Sequence, residues 1–262
     1  MDASFIRDGD RYVPTPLANG PWAPGVLHGG PAAGLMARAI EQYLGDPEMQ
    51  VVRLTIDLFR SIPSEPLEVR VESARKSHRL HALQSSLFAG DVELARTNAL
   101  ALRRSEVPPV TPIEPPPPGP QGLPLGRMMR GQTERPGWIP GFHSAIEVAW
   151  VSDIDADVAT AWLHVPFPLV AGEETSSLVA AASLADFAMQ GRKTDANSPW
   201  ASYINPDITL YLHRQPVGDW FCLQSLFRAE AEGVGRTETV WYDTAGRYGL
   251  GVQARLFNPR KP

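Results

Sequence analysis

Alternation of apolar and polar residues divides the chain into two similar runs of predicted strands. Positions that alternate with a period of two and are rich in β-branched or aromatic residues are typical of half-buried strands. The predicted strands cover 53–60, 67–73, 81–88 and 94–102 in the first run, and 207–214, 220–227, 237–242 and 250–257 in the second. Turns that contain Gly90 and Gly246 precede the last strand of each run. The pattern therefore predicts one antiparallel sheet in each half.

Each run of strands follows one predicted helix, over 31–43 in the first half and 176–190 in the second. Residues 28–30 (His-Gly-Gly) lead into the first helix and residues 173–175 (Glu-Glu-Thr) into the second, and both are turn or capping signals. The same order of elements recurs at a spacing of roughly 155 residues, which indicates duplicated domains. Because a sheet buries its apolar face against a helix, the sequence predicts an α+β fold with two such units.

Prolines are concentrated between the two halves. The segment 106–140 adopts extended polyproline geometry, which cannot join the interior of a helix or sheet. It is interpreted as a semi-rigid spacer that separates a first domain, 1–105, from a second domain, 141–262. The alternative is that the segment is a ligand for a proline-recognition domain.

Asp186 is the only charged residue in the run from Ser176 to Gln190. The run is apolar on every side, which is typical of a helix enclosed by protein. An aspartate is rarely buried unless another group pairs with it or hydrogen-bonds to it. Asp186 is therefore either a functional carboxylate or a structural tie to a neighbouring backbone or arginine.

Composition excludes several classes of protein. A net charge of −5, a pI near 5.7 and scattered basic residues give no surface for nucleic acid. The sequence contains no secretory signal pattern, and no apolar run approaches the roughly 20 residues of a membrane-spanning helix. We therefore expect a soluble, cytoplasmic protein with neither a nucleic-acid nor a membrane partner.

Cysteine and histidine give no sign of a metal or a thiol nucleophile. The single cysteine, Cys222, lies in an apolar stretch typical of the core and excludes an intrachain disulfide. His78, His81 and His143 lack the spacing of metal ligands. No Gly-x-Ser-x-Gly motif is present, so the serine mechanism of α/β-hydrolases is unsupported. We expect neither a metal nor a cofactor.

Four stretches in order together resemble the thioesterase-like double-hotdog family, which includes the bacterial acyl-CoA thioesterase II proteins. They are LHGGPAAGLMARA at 27–39, FPLVAGEE at 167–174 leading into LADF at 184–187, WASYINPDITLYLHR at 200–214, and GVQ at 251–253. The resemblance covers nearly all of the chain outside the proline-rich segment. It implies a double hotdog, in which two tandem repeats each wrap an antiparallel sheet around a central helix.

The resemblance also implies an activity, the hydrolysis of acyl-CoA to free fatty acid and CoA. In well-described members an Asp, a Thr and a Gln hold and activate the attacking water. Asp186 matches the Asp and Gln253 the Gln, whereas Asn205 stands where the family has Thr. Asparagine can donate and accept hydrogen bonds but has no hydroxyl group.

These residues suit thioester hydrolysis. We expect burial to raise the pKa of Asp186 toward the working pH of a general base, with Asn205 and Gln253 orienting the water. Gly29 and Gly30 allow a helix N-terminus to approach the thioester carbonyl and stabilise an oxyanion. His28, beside them, is either a competing base or a helix cap.

Matching positions in the repeat suggest one working site per chain. Arg60 and Arg214 correspond, and they either reach CoA phosphates or pair with carboxylates between the halves. Ala39, near Arg38 and Glu41, is expected at the place of Asp186 in the first half, and Asn98 near that of Gln253.

Two other functions remain open, a hotdog hydratase or dehydratase and an acyl-thioester-binding protein without catalysis. Homo-oligomers are expected in either case, since a long sheet leaves edges to cover.

Overall fold

The computed structural model describes residues 2–108, 111–126, 128, 137–152, 156–187, 201–229 and 231–259. Its helices are α1 (Gly29–Leu44), α2 (Phe142–Ala145) and α3 (Ser177–Leu184). Strands of the first half are β1 (Phe5–Asp8), β2 (Arg11–Pro14), β3 (Met49–Leu58), β4 (Leu67–Lys76), β5 (Leu80–Ala89) and β6 (Val92–Arg103). The remaining strands are β7 (Leu125–Gly126), β8 (Glu147–Trp150), β9 (Val158–His164), β10 (Ala201–Ile204), β11 (Asp207–Leu212), β12 (Trp220–Ala229), β13 (Val234–Asp243) and β14 (Gly246–Pro259).

All these strands belong to one 14-stranded antiparallel sheet. Its order is β1-β2-β4-β5-β6-β3-β11-β14-β13-β12-β9-β8-β7, and β10 pairs with β14 beside this path. The two halves meet where β3 pairs with β11, and Thr55 lies opposite Thr209 at the centre of this contact. From this centre the strand order of one half mirrors that of the other. The eight predicted strands are confirmed as β3 to β6 and β11 to β14.

The two long helices pack against each other and against the sheet. Met36 and Ile40 of α1 and Ala182 of α3 are fully buried. Burial of a side chain the size of methionine or isoleucine contributes about 1.5–3 kcal/mol. The helices approach closely only because α1 presents glycine: a Cβ atom on Gly30 would lie 2.3 Å from the Ser183 carbonyl oxygen, and one on Gly34 would lie 2.1 Å from Ser183 Oγ.

The second helix is shorter than its apolar run predicts. We expected it to include Asp186 and reach Gln190, which lies outside the described residues, but α3 ends at Leu184. The N–H of Ala185 bonds to the carbonyl of Ala182, which tightens the last turn, and the Ala185 carbonyl accepts a hydrogen bond from Gln253. Asp186 therefore lies in the turn after α3, and its placement inside the helix was wrong.

The described part of the proline-rich segment packs on the second half of the chain. Leu125 and Gly126 form β7 and pair with β8 at an edge of the sheet, outside its interior. An edge strand needs a partner on one side only, which a proline-rich chain can supply. Trp162 Nε1 donates to the Pro118 carbonyl at 3.0 Å, and Tyr242 donates to Glu114 at 2.8 Å. Within the described part of the chain, no helix has both the length and the apolar character needed to cross a membrane.

Candidate active site

Asp186 joins three separate parts of the chain. Its Oδ2 lies 2.9 Å from Nδ1 of His28, the residue that caps α1. Its Oδ1 accepts a hydrogen bond from Asn205 Nδ2, also at 2.9 Å. Asn205 lies in the short connection between β10 and β11. Only 10% of the Asp186 side chain is exposed, so both carboxylate oxygens exchange water for these two partners.

The contact between His28 and Asp186 requires a proton. His28 Nδ1 is also 3.1 Å from the backbone N–H of Gly30, in the position of an acceptor. One ring nitrogen cannot accept from Gly30 and donate to Asp186 at the same time. An unprotonated nitrogen facing a carboxylate oxygen at 2.9 Å would be repelled. A proton therefore lies between the two residues. If His28 Nδ1 carries it, Nδ1 donates to Asp186 and cannot accept from Gly30. If Asp186 carries it, Nδ1 accepts from both Asp186 and the Gly30 N–H, and the cap of α1 is kept.

Three aromatic rings pack around the imidazole of His28, and Phe142 is tilted against it with 5.5 Å between ring centroids. Phe187 stacks on it with 4.7 Å between ring centroids, and His143 lies nearly parallel at 6.2 Å. Burial, followed by the charge of His28, lowers the pKa of His143 to about 4. His143 is therefore neutral at pH 7 and adds no positive charge beside His28.

The pKa of Asp186 lies below its usual value. Burial by itself raises this pKa, but the charge and hydrogen bond of His28, the hydrogen bond of Asn205 and the charge of Arg255 together lower it. The expectation that burial would raise it toward the working pH was wrong, because the polar partners outweigh the loss of solvent. Asp186 is therefore ionised at neutral pH, and both of its carboxylate oxygens act as acceptors.

Arg255 was missed by the sequence reasoning. It lies on β14 with 4% of its surface exposed, and its Nη1 donates to Asn205 Oδ1 at 3.3 Å. Its Nε donates to Thr237 Oγ1 at 2.9 Å. Burial lowers the pKa of Arg255 to about 10, opposed by the charges of Asp186 and Asp207. The available signal was position, since a residue two places after Gln253 shares its face of the strand.

Gln253 contacts the turn that carries Asp186. Its Nε2 donates to the carbonyl of Ala185, the residue before Asp186. Its Oε1 is buried and has no hydrogen-bond partner among the residues that the structure describes. The structure thus brings Asp186 and Asn205 into direct contact and attaches Gln253 to the adjoining backbone.

A pocket of about 370 Å³ opens beside Asp186 and Asn205, and we call it the Asp186 cleft. Its wall is mostly apolar and includes Trp22, Val26, Leu27, Leu58, Ile62 and Ile204. Gly29, the first residue of α1, lines it as well, and a Cβ atom there would lie 2.9 Å from Asp186 Oδ2. Gly30 lies deeper, against α3. The volume is within the range of about 300–1,000 Å³ that small-molecule sites occupy.

The two corresponding arginines have different surroundings. Arg60 is exposed at the Asp186 cleft and donates one hydrogen bond, to the Glu93 carbonyl at 2.9 Å. The guanidinium of Arg214 instead donates to both carboxylate oxygens of the buried Asp243, at 2.5 and 2.6 Å. Asp243 belongs to the same half as Arg214, so this ion pair does not join the two halves. Its geometry makes Arg214 a structural residue.

A second cleft lies at the opposite end of the helix pair, and we call it the Glu41 cleft. It has a volume of about 380 Å³ and its lining includes Glu41, Met49, Val51 and Leu178. Glu41 accepts a hydrogen bond from Ser176, the cap of α3, at 2.6 Å. Burial raises the pKa of Glu41, and the Ser176 hydrogen bond opposes this.

In the first half of the chain, Arg38 is the counterpart of Asp186, because each lies the same number of residues after the helix cap of its half, His28 or Ser176. The expected Ala39 was therefore one position off. Arg38 binds Glu173 and, at 2.8 Å, the hydroxyl of Tyr12. Strand pairing sets Asn98 beside Thr55 and Val252 beside Thr209. The counterpart of Gln253 is therefore Ala99, one residue from the expected Asn98.

Within the described ranges, no three His, Cys, Asp or Glu side chains converge as a metal site would require.

Solved structures share this fold at low sequence identity. An acyl-CoA thioesterase II from Mycobacterium marinum has a TM-score of 0.67 at 17% identity, covering 89% of this chain and 90% of that one. A candidate thioesterase from Novosphingobium aromaticivorans has 0.72 at 20%, covering 98% and 100%. A protein of unknown function with a hot dog fold, from Alicyclobacillus acidocaldarius, has 0.72 at 13%, covering 97% and 96%. No curated protein sequence matches the chain.

Family models assign both halves. The acyl-CoA thioesterase N-terminal domain matches residues 18–103, and the acyl-CoA thioesterase C-terminal domain matches residues 114–254. The second match begins inside the proline-rich segment, in agreement with the packing of that segment on the second half. The chain therefore belongs to the acyl-CoA thioesterase family and is a thioester hydrolase with a hotdog fold.

Proposed function

We propose that the protein hydrolyses acyl-CoA to free fatty acid and CoA in the Asp186 cleft. The observation that carries this proposal is the Asp186 carboxylate, fixed by Asn205 and His28 on the wall of a pocket of about 370 Å³. An ionised carboxylate in a mostly apolar pocket is suited to take a proton from water. Neither a metal nor a cofactor is needed for this reaction.

Asp186 acts as the general base. Water attacks the thioester carbonyl carbon and gives one proton to the carboxylate, forming a C–O bond and a tetrahedral oxyanion. The oxyanion collapses, the C–S bond breaks, and the sulfur of CoA leaves with the proton that Asp186 had taken up. A free carboxylic acid and the CoA thiol result, so protons and electrons balance. His28 supports the ionised state of Asp186 before the attack.

The N-terminus of α1 stabilises the oxyanion of the tetrahedral intermediate. The first N–H groups of a helix have no acceptor within the helix, and the helix dipole is positive there. Gly29 brings this end of α1 to the pocket wall beside Asp186. Preorganised donors of this kind typically lower the barrier of acyl transfer by about 3–4 kcal/mol.

Asn205 stands where the resemblance places the family threonine. Its amide donates a hydrogen bond to the Asp186 carboxylate. Gln253 holds the turn through Ala185. Arg60, exposed at the mouth of the cleft, is suited to a CoA phosphate, because a guanidinium binds phosphate oxygens in pairs.

We infer further that each half is one hotdog unit, with 1–105 and 141–262 as the two domains and 106–140 between them. The mirrored strand order about Thr55 and Thr209 supports this division. Self-association and a cytoplasmic location stay predictions.

Release of free CoA thiol from a panel of acyl-CoAs, short to long and aromatic, tests the function. The wild-type protein is expected to release thiol, and a folded Asp186→Asn variant is expected to bind the same acyl-CoA without turnover. Binding without release by the wild type would instead identify a silent acyl-thioester-binding protein. Hydration of an enoyl-CoA without thiol release would identify a hotdog hydratase.

A further inference from the structure

We propose that Arg255 is a positioning residue, which fixes the orientation of the Asn205 amide and thereby the hydrogen-bond donor that Asn205 presents to Asp186. Its consequences for catalysis rest on the proposed function, whereas its effect on Asp186 does not. The three residues form a chain of contacts, with Arg255 Nη1 to Asn205 Oδ1 at 3.3 Å and Asn205 Nδ2 to Asp186 Oδ1 at 2.9 Å.

Only one orientation of the Asn205 amide satisfies both neighbours. A guanidinium has donors alone, and an ionised carboxylate has acceptors alone. Asn205 must therefore turn its oxygen to Arg255 and its NH₂ group to Asp186. The reverse orientation would set NH₂ against the guanidinium and the amide oxygen against the carboxylate. Without Arg255, no contact described for the Asn205 oxygen would oppose this reversal.

Arg255 is itself fixed in place. Its Nε donates to Thr237 Oγ1 at 2.9 Å, from the neighbouring strand β13. Both residues are buried, with 4% of Arg255 and none of Thr237 exposed. A side chain held on a rigid sheet transmits its position to Asn205, which lies in a connection between two strands.

Charge acts in the same direction as geometry. Asp186 faces His28 from α1 and Arg255 from β14, and Arg255 faces both Asp186 and Asp207. Asp207 also accepts a hydrogen bond from the Ala254 N–H at 2.8 Å, so its carboxylate is already engaged. Arg255 therefore contributes to the low pKa of Asp186.

The Glu41 cleft serves as an internal comparison, because it lacks the whole chain of contacts. The offset set by Thr55 and Thr209 makes Val51 the counterpart of Asn205, and the matching offset on β6 and β14 makes Ala101 the counterpart of Arg255. Two carboxyl groups line that cleft, Glu41 and Asp46, and burial raises the pKa of Glu41, the one that contacts the cap of α3. The pKa of a buried acid is thus lowered where His28, the amide donor and the cation accompany it.

The test titrates Asp186 by ¹³C NMR of its carboxyl carbon in the wild type, Arg255→Met and Arg255→Lys, with the exposed Arg236→Met as the matched control. Arg255→Met is expected to raise the pKa of Asp186, whereas Arg236→Met leaves it unchanged. Arg255→Lys returns the charge without the fork that reaches Asn205. It is therefore expected to restore the pKa in part while kcat stays about tenfold low with KM unchanged, the loss of about 1.4 kcal/mol of transition-state stabilisation.

An unchanged Asp186 titration in folded Arg255→Met would overturn the proposal, as would full recovery of kcat in Arg255→Lys. Should Arg255→Met fail to fold, Thr237→Val is used instead, because it removes only the hydrogen bond that holds Arg255 Nε. It is expected to raise the pKa of Asp186 by less than Arg255→Met would. An unchanged pKa of Asp186 in Thr237→Val would also overturn the proposal. Combining Arg255→Met with Asn205→Ala should cost no more kcat than Asn205→Ala alone, since Arg255 acts through Asn205. A wild type that does not hydrolyse acyl-CoA would refute the proposed function and leave the titration as the test of Arg255.

Discussion

The Asp186 cleft and the Glu41 cleft lie at opposite ends of the same antiparallel helix pair. In each, a carboxylate near the end of one helix touches the side chain that caps the other helix, at 2.9 Å between Asp186 and His28 and at 2.6 Å between Glu41 and Ser176. The pockets have nearly the same volume, about 370 and 380 Å³. Volume and the presence of an acid therefore do not distinguish the two clefts.

What differs is the support of the acid. Burial alone would raise the pKa of Asp186, but the charge and hydrogen bond of His28, the donor from Asn205 and the charge of Arg255 lower it. Glu41 has the hydroxyl of Ser176, and burial raises its pKa. The comparison teaches that polar partners decide in which direction the pKa of a buried acid is shifted.

The largest expected effect is on the free energy of unfolding, and it distinguishes Arg214 from Arg60, the arginine at the corresponding place in the first half. Replacing Arg214 by Met leaves the buried carboxylate of Asp243 unpaired, which should cost about 3–5 kcal/mol of unfolding free energy. Replacing Arg60 by Met removes an exposed side chain and should change stability by less than about 0.5 kcal/mol. Urea denaturation of both variants measures this. Equal losses would refute the view that only Arg214 is structural.

Exchange of the donor is expected to have the next largest effect. Asn205→Val gives the Asp186 cleft the residue of the Glu41 cleft, and the Asp186 carboxylate loses its amide partner. We expect kcat to fall about 100-fold, the lower end of what one lost oriented donor costs. The reciprocal Val51→Asn, assayed with the same acyl-CoA, should add no activity. A gain of activity in Val51→Asn would contradict the assignment of a single working cleft.

The smallest effect is the opposite pH dependence of stability at the two acids. Because the pKa of Asp186 is lowered, its contribution is present above 3.8 and is lost as pH falls through the folded-state pKa. Because the pKa of Glu41 is raised, its ionisation costs stability as pH rises above 4.5. Asp186→Asn should therefore be more destabilising at pH 7 than at pH 3. Glu41→Gln should be more favourable at pH 7 than at pH 4.

Unfolding free energies of the two variants across this range check the signs. The same slope for both variants would mean that the environments of the two acids do not differ as described.

Much of the fold could be predicted from local pattern. The eight predicted strands, β3 to β6 and β11 to β14, follow from alternation, and the start of α1 follows from the His28-Gly29-Gly30 signal. The short strands β1, β2, β7, β8 and β10 have two to four residues each, too few for a period to show. The end of α3 depends on Gln253, which bonds to Ala185 from a distant strand, and no local pattern contains that contact.

The sequence predicted the acid of the site, Asp186, better than it predicted the residues that surround this acid. Asp186 was conspicuous as a lone charge in an apolar run, and Asn205 and Gln253 were identified by resemblance. Arg255 was missed because its strand end alternates polar and apolar residues, so an arginine there is typical of a solvated face. Arg255 is nevertheless buried, with its Nε bonded to Thr237 on β13, and its charge contributes to the low pKa of Asp186.

Hydrolysis by Asp186→Asn against Glu41→Gln tests the central claim most directly, that one cleft in each chain hydrolyses the thioester. Both substitutions remove one carboxylate from clefts of nearly equal volume, and both proteins are first shown to be folded. We predict that kcat/KM for acyl-CoA falls about 10³-fold or more in Asp186→Asn, within the range of a lost general base, and changes less than about twofold in Glu41→Gln. A folded Asp186→Asn protein that retains wild-type turnover, or a Glu41→Gln protein that loses it, would contradict the account.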